Sequence, residues 1–190
     1  MRVIFANIDK KHIKNVEENV KYVLITENSN NLKDYNDLKI KPVVILYNGS
    51  YVVDLENNSV IIKRPIDEQS FSKIIEYSNS HNVKTKVCKN NDDVYEIKIS
   101  TDNYHRRLII PYMFKDLFPD VMTTTRGKII YVNSKEVSLI NAIDEVLNYL
   151  NITNNYIDLE NIYINVSSDG YYKDKINWKG IEIVWKLNKK

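Results

Sequence analysis

The sequence opens with Met1-Arg-Val-Ile-Phe-Ala-Asn-Ile-Asp-Lys10, and this stretch decides how the rest of the chain is interpreted. Its apolar run predicts a buried strand that ends in Asn7, Ile8 and Asp9. Because side chains alternate across a strand, we expect Asn7 and Asp9 on one face at its carboxyl end. Open α/β sheets bind their ligands outside the carboxyl ends of their strands. The stretch alone therefore leaves two interpretations: a functional edge of a sheet, or a plain polar strand end, since Asn and Asp are common where strands give way to turns.

The composition is that of a globular protein. A chain of 190 residues forms one large domain or two small ones. The net charge of +2 gives no strong attraction to nucleic acid or anionic lipid. The single cysteine, Cys88, excludes an internal disulfide and a cysteine-based metal site. No apolar run approaches the roughly 18 residues of a membrane span, and the first residues lack the regions of a signal peptide. We therefore expect a cytoplasmic protein with neither nucleic acid nor membrane as partner.

The next elements continue an α/β pattern. Residues 11–19 predict a short helix, and Tyr22 to Ile25 predict a second strand that ends in Thr26. Pro42 to Tyr47 predict a third buried strand, and Asn48-Gly49 predicts a two-residue hairpin turn. Beyond that turn, Tyr51 to Asp54 and Val60 to Lys63 predict a hairpin that projects from the sheet.

The middle of the chain repeats a pattern of one helix followed by two strands. Asp67 or Ser70 is expected to cap the first helix, and Pro111 is expected to break or kink the second. The predicted elements are a helix to about residue 81, strands at 84–89 and 95–100, a helix at 103–118, and strands at 121–125 and 128–132.

The last third returns to longer elements. Apolar residues after Lys135 recur at helical spacing as far as Leu150, which predicts an amphipathic helix. Residues 161–166 and 180–184 predict two further strands.

The order of these elements resembles the haloacid dehalogenase (HAD) superfamily, in its Cof-like and phosphomannomutase-like branch. The most specific local matches are Leu46-Tyr-Asn-Gly-Ser50 and Val60-Ile-Ile-Lys-Arg-Pro-Ile-Asp67, where the core of such proteins runs into an inserted cap. The resemblance implies an α/β fold with a doubly wound, Rossmannoid core of residues 1–66 and 133–190. It also implies a small α+β cap of residues 67–132, inserted between the second and third motifs.

The resemblance assigns catalytic positions that this chain fills only in part. The first strand of the superfamily ends in Asp-x-Asp, the nucleophile and the acid/base; here these positions hold Asn7 and Asp9. Thr26 stands where a Thr or Ser binds the phosphoryl group. The lysine that neutralises the phosphate is replaced by Leu139. An amide is a far weaker nucleophile than a carboxylate, and a leucine cannot neutralise charge.

The metal-binding positions also differ. Two carboxylates that hold Mg²⁺ in the superfamily align with Ser168 and Tyr172, while Asp169 lies one residue away. Asp9 and Asp169 are therefore the remaining metal candidates, with Asp174 as a substitute. We expect no cofactor, or Mg²⁺ if the protein is active.

Two functions follow from these replacements. The first is a pseudophosphatase, which has lost phosphohydrolase activity and binds a small molecule in the cap–core cleft or a protein partner. The alternative is a Mg²⁺-dependent phosphatase or phosphomutase-like enzyme acting on a small phosphorylated metabolite such as a sugar phosphate.

The candidate ligand contacts are Asn48, Arg126, Ser168 and Asp169. With Leu139 in place of a lysine, and an acidic residue after Thr26, a neutral or weakly charged ligand is expected. His105-Arg106-Arg107 is interpreted as a solvated helix face, with an anion-binding patch as the alternative. The three histidines are expected on the surface, and Cys88 is expected to be buried.

Overall fold

The computed structural model describes residues 2–6, 20–26, 41–151, 175–178 and 181–184. Within these residues the strands are β1 Arg2–Ala6, β2 Val20–Thr26, β3 Val43–Leu46, β4 Tyr51–Asp54, β5 Ser59–Lys63, β6 Lys84–Asn90, β7 Asp93–Ser100, β8 Val121–Arg126, β9 Ile129–Ser134, β10 Lys175–Trp178 and β11 Ile181–Val184. The helices are α1 Glu68–Ser80, α2 Tyr104–Leu117 and α3 Leu139–Tyr149. The helix predicted at 11–19 and the strand predicted at 161–166 lie outside the described residues.

The first sheet contains β1 to β5 in sequence order. The pairs β1–β2 and β2–β3 are parallel, whereas β3–β4 and β4–β5 are antiparallel. The prediction of a projecting hairpin is therefore wrong, because β4 and β5 continue the sheet itself. The reason lies in the connection: a loop of four residues after β3 can only return the chain antiparallel. Both β3 and β4 are buried along their whole length.

The turn between β3 and β4 is longer than the predicted two residues. Leu46 pairs with Tyr51, so the loop comprises Tyr47 to Ser50, of which Tyr47–Gly49 form a 3-10 turn. Tyr47, Asn48 and Gly49 have φ values of 51°, 58° and 96°. The Ser50 hydroxyl closes the turn by donating to the Tyr47 carbonyl at 2.7 Å.

The second sheet contains β6 to β9 in the order β6-β7-β9-β8, all antiparallel. The predicted repeat of one helix and two strands is confirmed. Ile74 from α1, Ile110 and Phe114 from α2, and Ile97 and Ile130 from the sheet lie in one buried cluster. Both helices therefore cover one face of this sheet. The assignment of residues 67–132 to a separate cap stays a prediction.

The structure shows which residues cap the two helices of the second sheet. Asp67, and not Ser70, caps α1, since its carboxylate accepts from the Ser70 backbone N–H at 2.8 Å. Asn103 caps α2 by accepting from Arg106 N. Pro111 lies inside α2 without breaking it. Burial of Ile110 and Phe114 on either side of Pro111 outweighs the missing backbone hydrogen bond.

Helix α3 packs on the first sheet. Ser138 caps it, and Ala142, Val146 and Leu147 join a buried cluster with residues of β2 to β5. The strand predicted at 180–184 is present as β11, but it pairs antiparallel with β10 in a separate two-stranded sheet. The two-residue link between these strands favours such a local pairing. The resemblance implies that residues 180–184 form the last strand of the core, and this stays a prediction.

A cluster of tyrosines joins the two sheets. The rings of Tyr47 and Tyr95 stack with centroids 5.8 Å apart, and Tyr51 lies 5.1 Å from Tyr95. Cys88 is buried in the same cluster, as predicted. These contacts fix the second sheet beside the end of β3. Among the described residues, no helix combines the length and the hydrophobicity that crossing a membrane requires.

Candidate functional site

The carboxyl ends of β2 and β3 meet a polar face of the second sheet. Thr26, the last residue of β2, pairs with Leu46, the last residue of β3, so Asn48 follows at the same edge. The face of the second sheet that its helices leave uncovered approaches this edge. We call the resulting group the polar cluster: Asn48, Glu96, Lys98, Arg126, Tyr131 and Asn133.

Asn48 is the link between the two sheets. Its amide nitrogen donates to Glu96 Oε2 at 3.2 Å and to Asn133 Oδ1 at 3.4 Å. Its amide oxygen accepts from Arg126 Nη2 at 3.1 Å. An asparagine side chain has two N–H donors and one carbonyl oxygen, and each of these groups is engaged here. Asn48 therefore sets the position of Arg126 relative to the end of β3.

Glu96 brings a buried charge to the cluster. Its side chain is 0% exposed, and Lys98 Nζ lies 3.4 Å from its Oε1. A buried carboxylate is stable only with opposite charge and hydrogen-bond donors around it. Lys98 and Asn48 supply both, so Glu96 fixes these two side chains in place.

Tyr131 lies between two cations. Lys98 Nζ is 5.0 Å and the Arg126 guanidinium carbon is 5.3 Å from the centroid of its ring. Lys98 belongs to β7 and Arg126 to β8, the two strands that flank β9. Cation–π attraction thus holds both side chains beside Tyr131. With the one negative charge of Glu96, the polar cluster has a net charge of +1.

Asn133 links the second sheet to the turn after β3 by hydrogen bonds. It is 3% exposed, and its amide nitrogen donates to the Tyr95 carbonyl at 3.0 Å, to Ser50 Oγ at 3.3 Å and to the Tyr47 carbonyl at 3.4 Å. Burial raises the pKa of the neighbouring Tyr95 phenol, and the Asp93 carboxylate raises it further, so Tyr95 stays a neutral donor. On this side of the cluster, Asn133 is therefore held in place by hydrogen bonds to uncharged groups.

Leu139 begins α3 beside the same turn. A Cβ placed on Gly49 would lie 3.4 Å from Leu139 Cα, which shows how closely the helix approaches the turn. The Leu139 side chain is partly buried against the core cluster of the first sheet. At the position where the resemblance implies a lysine, this chain thus has an apolar contact with its own core.

A second polar group occupies the opposite end of β4. Asp54 is 1% exposed and accepts from Glu56 N, Asn57 Nδ2 and Tyr149 Oη, while Lys21 lies 3.4 Å away. Burial opposes ionisation of Asp54, but these hydrogen bonds and the Lys21 charge outweigh it and lower the pKa of its carboxyl. Because Asp54 pairs with Val43 at the start of β3, this group lies away from the polar cluster and ties α3 to the sheet.

The structure brings together two of the predicted ligand contacts and leaves others undescribed. Asn48 and Arg126 are in direct contact. Asn7, Asp9, Ser168 and Asp169 lie outside the described residues, so their catalytic, ligand and metal roles stay predictions. No group of three or more His, Cys, Asp or Glu side chains in the described ranges is placed to hold a metal ion. In the polar cluster Glu96 contributes a single carboxylate, so the cluster alone does not fit Mg²⁺.

Sequence reasoning missed Glu96, Lys98, Tyr131 and Asn133. Their signal was the alternation along β7 and β9, in which Ile97, Ile99, Ile130 and Val132 lie in the buried cluster under the helices. The residues between them therefore share the other face.

Arg106 and Arg107 contact the body of the protein. Arg106 donates to the His81 carbonyl at 3.0 Å, and Arg107 donates to the Gly127 carbonyl at 3.1 Å. These contacts hold the start of α2 against neighbouring loops and do not favour an anion-binding patch. His81 and His105 are exposed, as predicted, and His12 lies outside the described residues.

Comparison with known proteins identifies the family. The family of haloacid dehalogenase-like hydrolases matches residues 8–110. The chain therefore belongs to the haloacid dehalogenase-like hydrolases, which confirms the resemblance found in its sequence. No match is found among the curated proteins.

Solved structures agree on the fold. A haloacid dehalogenase-like hydrolase from Bacteroides thetaiotaomicron has a TM-score of 0.66 at 10% identity, covering 86% of this chain and 80% of its own. A haloacid dehalogenase-like hydrolase from B. subtilis has a TM-score of 0.62 at 15% identity, covering 86% and 82%. A HAD subclass IIB sugar phosphatase has a TM-score of 0.60 at 14% identity, covering 86% and 80%. The predicted α/β, HAD-like fold class is thus confirmed.

Proposed function

We propose that this protein is a non-catalytic member of its family, which binds a small polar ligand between the two sheets, beside Asn48 and Arg126. The observation that carries the proposal is a contrast. A partly buried polar cluster lies at the edge where the family's ligands are expected, while Leu139 packs against the core at the lysine position. Among the described residues, Leu139 thus makes an apolar contact at the position where the family's lysine is expected.

The chemistry of the replaced residues supports loss of phosphohydrolase activity. An attacking carboxylate forms an acyl phosphate, whereas the amide of Asn7 lacks the charge and the nucleophilicity to do so. Members of a covalent catalytic unit act together, so removing one of them costs several orders of magnitude in rate. The apolar side chain of Leu139 gives no compensation for phosphoryl charge.

The charges of the polar cluster favour a particular ligand class. Lys98 pairs with the buried Glu96, and Lys98 and Arg126 are the two cations of the cluster, both beside the Tyr131 ring. A ligand with several negative charges, such as a phosphate ester with further phosphate groups, requires more cations than this. We therefore infer a neutral or singly charged polar ligand, bound by hydrogen bonds.

The competing function is Mg²⁺-dependent hydrolysis or phosphoryl transfer on a small phosphorylated metabolite such as a sugar phosphate. The family's description as hydrolases favours it, as does the retention of Asp9 and Thr26. In that case Asp9 would act as acid/base and Thr26 would hold the phosphoryl group. Asp9 and Asp169 would be the ligands of Mg²⁺, whose role would be to neutralise phosphoryl charge.

A thermal-shift screen followed by calorimetry tests the binding proposal. The compounds are sugar phosphates, nucleotides and their unphosphorylated counterparts. We expect a neutral or singly charged compound to raise the melting temperature. We expect Arg126→Gln to weaken its binding about tenfold or more, since a hydrogen bond to a charged group contributes about 1.5–3 kcal/mol.

Arg106→Gln is the matched control. Arg106 also donates to its own chain, but from α2, on the helix-covered side of the second sheet. Equal binding by both variants would contradict the proposed site. A large shift with phosphosugars alone would favour the enzyme.

A further inference from the structure

The face of the second sheet that carries the polar cluster continues onto the neighbouring strand β6. Side chains alternate across each strand, so the register shows which residues share this face. Lys98 of β7 pairs with Lys86 of β6 on one side and with Tyr131 of β9 on the other. Tyr131 in turn pairs with Thr124 of β8. We call these four residues the middle row, since they lie side by side across the sheet.

The middle row places two like charges directly opposite each other. Opposite residues of antiparallel strands have Cβ atoms about 4.5–5.5 Å apart, and like charges at such positions destabilise the strand pair. Lys86 is exposed, whereas the Lys98 side chain is 14% exposed. Local arrangements that cost stability are expected at functional sites. An anion beside both ammonium groups would remove the repulsion between them.

Positive charge predominates on this face of the sheet. At the described strand positions, its cations are Lys84, Lys86, Lys98 and Arg126, and its one acidic residue is Glu96. Glu96 is buried. The polar cluster together with Lys86 therefore contains three cations and one carboxylate, a net charge of +2. Because Lys86 is exposed, its charge is screened by water and counts for less than that of Lys98. One negative charge on a ligand thus suits this face better than two.

We propose that the ligand carries a carboxylate, which binds beside Lys86 and Lys98, with Arg126 near it. This inference rests on the proposed function and narrows its ligand class to a small hydroxylated monocarboxylate, such as a sugar acid. Ammonium and guanidinium groups make charge-assisted hydrogen bonds to carboxylate oxygens, roughly twice as strong as bonds between neutral groups. Lys86 is thus the residue that selects an acid over its neutral counterpart.

Hydroxyl groups on the same face fit the rest of such a ligand. Thr124 is half-buried in the middle row, and Ser100 is exposed two residues after Lys98 on β7. A hydroxyl side chain both donates and accepts hydrogen bonds, as the hydroxyl groups of a sugar acid do. The face therefore combines cations for one anionic group with uncharged partners for its neighbours.

Titration calorimetry at constant ionic strength tests the inference, with glucuronate, gluconate, glucose and glucose 6-phosphate as probes. We expect the wild type to bind a sugar acid about tenfold or more tightly than glucose. Lys86→Gln should weaken binding of the acid about fivefold or more and leave the affinity for glucose unchanged. Lys73→Gln is the matched control, because Lys73 is exposed on α1, which covers the other face of the sheet. This variant should bind like the wild type.

The melting temperature of the ligand-free protein gives a second measurement. Removing one of two opposed charges should raise the melting temperature of Lys86→Gln by about 1–3 °C at low salt, and screening should remove this gain at high salt. Lys73→Gln should melt like the wild type. A melting temperature of Lys86→Gln that is unchanged or lower at low salt would overturn the inference.

The binding outcomes separate this inference from the proposed function. Equal affinity for glucuronate and glucose, or acid binding unchanged in Lys86→Gln, would overturn the inference. If such binding is nevertheless weakened in Arg126→Gln, the proposed function stands without it. Preference for glucose 6-phosphate would overturn the inference and favour the enzyme. Binding of none of the four probes would also overturn it, and the wider thermal-shift screen then decides the proposed function separately.

Discussion

At the scale of single residues, Gly49 meets two requirements at once. Its φ is +96°, a conformation that side chains with a Cβ rarely adopt. A Cβ there would also lie 2.7 Å from Ala142 Cβ and 3.0 Å from the Ser138 carbonyl oxygen. The close approach of α3 to the turn that positions Asn48 thus depends on the absence of a side chain.

Gly49→Ala should destabilise the protein by about 3–5 kcal/mol, the sum of backbone strain and overpacking. Gly127→Ala is the matched control, because Gly127 also has a positive φ, +56°, but has nothing within 4 Å of its Cβ position. Its cost should be about 1–2 kcal/mol. Urea unfolding of both variants measures the difference. Equal costs would show that the approach of α3 does not constrain Gly49.

Single residues also show why the site could be predicted only in part. Asn48 and Arg126 were predicted as ligand contacts through the resemblance, Asn48 at the start of the segment that leads into the cap and Arg126 in a cap turn that can face the cleft in relatives. Glu96 was not found, because an isolated acidic residue in a strand usually lies on a solvated face. Its burial depends on Lys98 and on Asn48, which lies 48 residues away in sequence. The local sequence pattern of a strand does not show contacts with residues that are distant in sequence.

At the scale of elements, periodicity predicted the helices and strands of the described middle region well. The alternation in β7 and β9 and the caps of α1 and α2 are local features, which explains this success. Two predictions failed, and both depend on tertiary pairing: the length of the loop after β3, and the place of β4 and β5 in the sheet. The burial of Ile110 and Phe114 likewise outweighs the backbone hydrogen bond that Pro111 cannot donate.

The docking of α3 gives a prediction that depends on pH. Tyr149, the last residue of the helix, donates to Asp54 at 3.0 Å. The pKa of Asp54 is lowered from 3.8 in the folded state. Its ionisation therefore contributes stability above pH 3.8, and this contribution is lost as the pH falls through the lowered pKa.

We expect Asp54→Asn to cost about 2 kcal/mol at pH 7, since hydrogen bonds to a charged group are replaced. The difference from the wild type should shrink as urea unfolding is repeated down to about pH 3. Glu56→Gln is the control: its side chain is 61% exposed and pairs with Lys21, so less than about 1 kcal/mol is expected. A difference for Asp54→Asn that stays constant with pH would refute the assigned role.

At the scale of the whole molecule, two sheets are joined by the tyrosine cluster and by Asn48 and Asn133. The join creates an edge where the end of β3 meets charged and aromatic side chains of the second sheet. The proposed ligand site lies at this edge, and catalysis would require a carboxylate in place of Asn7 and a cation in place of Leu139. The proposed function is that the molecule binds its ligand and does not turn it over.

The most direct test is the rate of phosphate release from a panel of phosphomonoesters with Mg²⁺, measured for the wild type, Asn7→Asp and Asp9→Asn. We predict no release above the uncatalysed rate for the wild type. Asn7→Asp alone should restore little, because Leu139 and Ser168 remain. Turnover by the wild type that is lost in Asp9→Asn would contradict the account and establish the enzyme.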